Sequence, residues 1–177
     1  MAAQKIYSTQ SGVKLYCNIE SITGFNNLSD IIHSRYYNEL TGIILGRDDM
    51  AASMQLDKSK IEEPGMLNLS KIIAEKVFET QKEFIIGGSI GNSSIKNFQE
   101  IPNRFLSAFE TRKIIFDSSA LNIKNINEGI YKALEFEIKW IKNKNRISNL
   151  DAIRITQLQE RQNKLDERDL NYANTAI

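Results

Sequence analysis

The sequence holds one cysteine, Cys17, and one histidine, His33. A lone cysteine excludes a disulfide framework and a thiolate zinc site, and it fits a reducing compartment. A lone histidine excludes histidine-rich metal sites. Any bound metal must then be held mainly by oxygen, which favours magnesium, manganese or calcium. Excess charge of one sign is also missing: 23 Lys and Arg stand against 22 Asp and Glu, for a net charge of +1. The totals therefore lack the basic footprint of a nucleic-acid binder. No stretch reaches the roughly 18 apolar residues of a membrane span. No apolar segment follows residues 1–5 as a signal peptide would require. The expectation is a cytoplasmic protein with neither a membrane nor a nucleic-acid partner.

What is present suits one domain with a core of useful size: 177 residues, of which 41% are hydrophobic and 25% charged. Four short apolar runs stand out, at residues 14–19, 41–45, 83–86 and 112–116. Rich in Ile, Val, Tyr or Phe, they read as strands buried on both faces. Helical patterns lie between them. Leu28, Ile31, Ile32 and Arg35 share one face, with Ser29-Asp30 as a cap. Leu69, Ile72, Ile73 and Val77 define a helix over residues 67–77, with Asn68 or Ser70 as its cap. Ile95, Phe98 and Ile101 suggest a shorter helix ended by Pro102. Ile130, Tyr131, Leu134, Ile138 and Ile141 mark a strong amphipathic helix over residues 127–144.

Four strands alternating with helices imply right-handed parallel crossovers and an α/β fold. After Asn145 the composition changes. Residues 146–169 are mostly charged, with sparse apolar positions at Leu150, Ile153, Leu158 and Leu165. The chain is thus expected to divide into a body over residues 1–145 and a charged helical tail over 146–177, solvated or bound to a partner. Residues 171–177 are expected to fray, and the first dozen carry no convincing pattern.

Two strand ends could carry chemistry. The first run closes on Asn18-Ile19-Glu20-Ser21, and alternation puts Asn18 and Glu20 on one face with Cys17 and Ile19 on the other. The second closes on Gly46-Arg47-Asp48-Asp49. In a parallel barrel the C-terminal strand ends share one face, where active sites are built. Glu20 and Asp49 would then meet across a small gap. Two carboxylates, completed by water and substrate oxygens, suit a magnesium-like ion. Such an ion could hold a 2-oxo acid by its carboxylate and keto oxygens and stabilise the charge released when a carbon–carbon bond breaks. The plainer reading of either acid alone is a solvated loop end.

These residues resemble a known family. Asn18-Ile19-Glu20-Ser21 is similar to the strand that supplies a metal-binding glutamate in the HpcH/HpaI aldolase/citrate lyase family. Gly46-Arg47-Asp48-Asp49-Met50-Ala51-Ala52-Ser53 resembles that family's Gly-x-x-Asp-Leu segment, and by that match the second ligand is Asp49, not Asp48. Phe109-Glu110-Thr111-Arg112-Lys113-Ile114-Ile115-Phe116-Asp117 resembles a segment of one branch of the family. The resemblance spans residues 15–144 and is most specific over 46–53. It implies a partial TIM (β/α)8-type barrel of about four β/α units, equivalent to strands five to eight, with an extended C-terminal helical tail. The implied function is a metal-dependent carbon–carbon lyase using Mg2+ or Mn2+ on a 2-oxo acid or acyl-thioester substrate. The family's substrate arginine and histidine base lie in the earlier half and have no match here. Related families exchange their last helix between subunits, so a homo-oligomer, or a complementing N-terminal half, is expected as partner. The apolar face of residues 130–141 is the expected means of association.

Other residues have plainer readings. Gly87-Gly88-Ser89, which opens a glycine-containing turn, could cradle a substrate anion with backbone N–H groups, or simply form a tight turn. No Lys follows as in a P-loop. Arg47 could orient substrate or neutralise Asp48. Arg112 and Lys113 are expected at the far end of the last strand, one of them paired with Glu110. Asp117 is expected to cap the next turn. His33 reads as a solvent-facing or packing residue, and Cys17 as a small buried hydrophobe. Tyr131, Phe136 and Trp140 read as core packing, and Lys139, Lys142, Lys144 and Arg146 as a solvated face. Two rivals to the lyase stand: an inactive half barrel or subunit needing a partner chain, and a metal-independent phosphate-ligand barrel enzyme.

Overall fold

The computed structural model describes residues 12–143 and 148–174. The 145/146 boundary, Lys144, Arg146 and the extreme ends lie outside them. The fold is mixed α/β. Five strands form one sheet in chain order: β1 (Tyr16–Ile19), β2 (Gly42–Gly46), β3 (Glu83–Gly87), β4 (Ala108–Glu110) and β5 (Ile115–Asp117). The first four run parallel, and β5 returns antiparallel to β4.

Three of the expected strands stand where the apolar runs put them. The fourth differs. Ala108–Glu110 pairs with β3, whereas residues 112–116 make a tight turn and the start of β5. The turn is closed by Thr111 N–H donating to the Ile114 carbonyl at 2.9 Å. An Ile-Ile-Phe run reads alike at a sheet centre and at its edge. Here Ile115 is 60% exposed while Phe109 is fully buried. The turn therefore carries Arg112 and Lys113 to the C-terminal end of the parallel strands, not the far end.

Helices fill the crossovers. The single helix expected near Leu28 is two short ones, α1 (Ile22–Asn26) and α2 (Leu28–Ile32), and the Ser21 hydroxyl caps α1 by accepting from Gly24 N–H. α3 (Arg47–Ser53) follows β2 directly. α4 (Pro64–Glu79) opens on proline, whose missing N–H costs nothing in a first turn. It therefore starts before Asn68 and Ser70, and the Ser70 hydroxyl instead donates back to the Met66 carbonyl. α5 (Asn92–Gln99), α6 (Ile126–Lys142) and α7 (Asn149–Asn174) complete the set. Residues 171–174, expected to fray, are helical. No helix among the described residues is long and apolar enough to cross a membrane.

Strand alternation sorts the sheet into two faces. Ile19, Ile43, Leu45, Phe84, Ile86 and Phe109 point one way, into a core shared with Met50, Ile73, Val77 and Phe98. The apolar face of α6 is spent inside the chain: Ile130, Leu134, Ile138 and Ile141 are buried, as are Leu158 and Leu165 of α7. It is not free for association. Glu137 of α6 accepts two hydrogen bonds from Arg154 of α7, at 2.9 and 3.1 Å, a bidentate pair largely shielded from water. The segment expected as a charged tail is thus packed on α6 through Arg154, Leu158, Gln162 and Leu165. Its apolar positions looked too sparse because a single stripe makes the contact.

Arg47 ties the strand ends together. Only 2% exposed, it donates to the carbonyls of Gly87 and Gly88, to Glu62 and to the Ser94 hydroxyl. Its guanidinium also lies over Phe98 at 4.8 Å. Burial pulls its pKa down, and Glu62 opposes that pull. Arg47→Met should therefore cost about 3 kcal/mol of stability, because it removes the donor to two carbonyls and leaves Glu62 without its counter-charge. Urea denaturation checks this, and a loss under about 1 kcal/mol would contradict it.

Candidate active-site cleft at the strand ends

The second face of the sheet is mixed, apolar at mid-strand and small or acidic toward the C-terminal ends. Asn18, Ile44, Ile85 and Ala108 align across the four parallel strands. The next row toward the C-terminal ends pairs Gly46 with Gly87 and Gly87 with Glu110. Glu20, one step past β1, closes that row beside Gly46. The outer strands thus carry acids and the inner strands carry none, only glycine. A Cβ at Gly46 would lie 3.0 Å from Glu20 Oε2, and one at Gly87 would lie 3.1 Å from Glu110 Oε1. Each carboxylate rests against a glycine, so the missing side chains leave room for them.

Above this floor lies a cleft of about 940 Å³. Glu20 and Asp49, the two expected metal ligands, both border it. Both residues are exposed. Glu20 accepts only a long 3.4 Å contact from Asn18 Nδ2, and Asp49 has no side-chain partner among the described residues. Their lone pairs are available, and an all-oxygen pair is the donor chemistry that a hard divalent cation takes. Asp48 differs: it is half-buried and accepts from the Ser89 hydroxyl. Among the described residues no group of three or more His, Cys, Asp and Glu is placed to hold a metal. Water and substrate oxygens would have to complete a site on Glu20 and Asp49.

Gly87, Gly88 and Ser89 also border the cleft. Gly88 adopts φ +93°, and a Cβ there would strike the Asp48 backbone nitrogen at 2.8 Å, so the glycine is required for the loop to pack on the start of α3. The Ser89 hydroxyl is occupied, donating to Asp48 and accepting from Arg161 Nη2 at 2.8 Å. Arg47 does not face the cleft as a substrate cation, since its donors are spent beneath the loop. His33 is exposed at the end of α2, away from these strand ends. Cys17 is half-buried on the opposite face, and burial raises its thiol pKa. Asp117 caps the turn after β5 by accepting from Ser119 N–H.

Sequence reasoning missed two charged residues here. Glu110 pairs with neither Arg112 nor Lys113 among the described residues, and burial raises its carboxyl pKa. Finding it required the correct placement of β4. Arg161 comes from α7. One stripe of that helix, Leu150, Ile153, Arg154, Gln157 and Arg161, faces the cleft, adjoining the stripe that holds Leu158 and Leu165 against α6. The i, i+3, i+4, i+7 spacing of that polar stripe was the available signal. Trp140, read as core, is 53% exposed and lies in the cleft wall beneath Lys113 Nζ at 5.3 Å.

Compared with known proteins, the chain matches no family model, no curated protein and no solved structure.

The Glu110 shift fixes a sign. Its folded pKa lies above the ordinary 4.5, so the protonated form is favoured by the fold. That contribution is full below the unfolded value and is lost as pH rises through the folded one. Glu110→Gln, neutral at every pH, should therefore gain in melting temperature over the native protein as pH rises from about 4 to 8. A constant difference across that range would refute the assignment.

Proposed function

We propose that the chain is the C-terminal half of a (β/α)8-type barrel of the HpcH/HpaI aldolase/citrate lyase kind, acting in aldol-type carbon–carbon cleavage or condensation. The substrate is a 2-oxo acid or an acyl-thioester, and the cation is Mg2+ or Mn2+, held by Glu20 and Asp49. One observation carries the reading. Two unencumbered carboxylates, from the ends of adjacent parallel strands, border one cleft at the end of the sheet where such folds build their sites.

When bound, the cation polarises a keto or thioester oxygen as a Lewis acid. The chain's own residues do the rest. Glu20 and Asp49 fix position, and Asn18 steadies Glu20. Gly46 and Gly87 keep the floor clear. Glu110, a partly buried carboxyl with no partner among the described residues, is suited to accept or give a proton because its neutral form is accessible nearer neutrality. The half-barrel aspect is supported by the strand order β1-β2-β3-β4, in which each parallel strand neighbours the next. It is supported also by the outer edge of β1, which pairs with no strand among the described residues. Such an edge invites a second copy or a complementing half.

Mn2+ at about a hundred times its dissociation constant should raise the melting temperature by about 5–10 °C. Glu20→Gln and Asp49→Asn should each abolish that rise, while Asp48→Asn, altering the acid that holds Ser89, should keep most of it. A rise that survives both ligand substitutions would reject the site. Light scattering should show a dimer or larger, and a monomer in Mn2+ would count against the complementing barrel.

A further inference from the structure

The cleft holds a cation that nothing above uses. Arg161 borders it from α7, and its one side-chain hydrogen bond among the described residues goes to the Ser89 hydroxyl. No carboxylate of the described residues lies within ion-pair distance of it, although Asp48 and Glu137 attract it from further off. Its neighbour Arg154 is already committed to Glu137 through both oxygens. Burial and the Arg154 charge both pull the Arg161 guanidinium pKa down. A partly buried guanidinium with spare N–H donors facing a cleft is a ready receptor for an anion.

We propose that Arg161 receives the carboxylate of a small organic acid that enters between α7 and the strand ends. The reading rests on the cleft being a small-acid site, as proposed above, but not on the cation. A guanidinium fork matches a carboxylate bidentately. Phosphate would fit the fork as well. Glu20, Asp48, Asp49 and Glu110 border the same cleft. Lys58, Arg112, Lys113 and Arg154 border it too, so the cleft carries both signs and the phosphate arm of the test separates the two anions. An apolar wall also borders the cleft: Trp140, Leu150 and Ile153 are 53%, 78% and 55% exposed. Large apolar side chains left in contact with water inside a concave site are a docking surface for an apolar body.

The test is thermal shift and calorimetry of the full chain in EDTA, with sodium pyruvate and sodium phenylpyruvate as probes. Sodium phosphate and chloride at matched ionic strength are the comparisons. The expected result is stabilisation by both oxo acids, more by phenylpyruvate, and little by phosphate. Arg161→Gln should weaken oxo-acid binding at least about tenfold, and Arg161→Lys should recover part of it. Because Arg161 also tethers α7, Ser89→Ala is the control. It removes the tether and leaves the cation, so oxo-acid binding should persist. Glu20→Gln removes a negative charge from the same cleft and should keep or strengthen oxo-acid binding in EDTA. Unaltered binding in Arg161→Gln, or stabilisation by phosphate alone, would overturn the proposal. Binding lost in Glu20→Gln and kept in Arg161→Gln would overturn it too, while leaving the cation site standing. No oxo-acid response in EDTA from the native chain overturns the proposal whatever Mn2+ does.

Discussion

The buried guanidinium of Arg47 is the contact on which this end of the sheet depends. It leaves β2 at the first residue of α3 and reaches the carbonyls that follow β3, the short helix bearing Glu62, and Ser94 of α5. Four parts of the chain are thus fixed about one cation. Three of them carry cleft residues: Asp48 and Asp49 lie just past Arg47, Gly87, Gly88 and Ser89 lie over it, and Lys58 opens the short helix. Ser94 and Asn97 also donate to Glu62, so the carboxylate is held from several sides. A charge buried this deeply is tolerable only because its hydrogen bonds are so nearly complete.

From that anchor the cleft gathers both signs of charge. Acids arrive from the strand ends, at Glu20, Asp48, Asp49 and Glu110, with Arg112 and Lys113 on the turn after β4, while Arg154 and Arg161 arrive from α7. The parallel sheet makes the first set inevitable, because parallel pairing delivers every strand's C-terminal end to one side. The second set depends on α7 folding back along α6, which the Glu137–Arg154 pair and the burial of Leu158 and Leu165 secure. Two glycines, Gly46 and Gly87, hold the middle of the floor open, each with a carboxylate resting against it.

Much of this was legible in the amino-acid order, and the failures have physical causes. β1, β2 and β3 were readable because strands buried in a parallel sheet are short, continuous apolar runs bounded by turns. Glu20 and Asp49 were readable because each ends such a run. β4 was not, since Ala108-Phe109-Glu110 is too short to stand out and the stronger Ile114-Ile115-Phe116 run belongs to an edge that turns back. That one slip hid Glu110 and sent Arg112 and Lys113 to the wrong end. α7 was misjudged because burial on one stripe needs only Leu158 and Leu165, and a mostly charged helix conceals them. Arg47 was misjudged because nothing local distinguishes an arginine that neutralises its neighbour from one that reaches forty residues along the chain to Gly87.

The central claim, that Glu20 and Asp49 share one divalent cation, is most directly tested by anomalous diffraction at the manganese edge from crystals grown with Mn2+. The account predicts a single strong peak bonded to an oxygen of each residue at the open end of β1 and β2. A peak bonded to neither, or none at millimolar Mn2+, would contradict it.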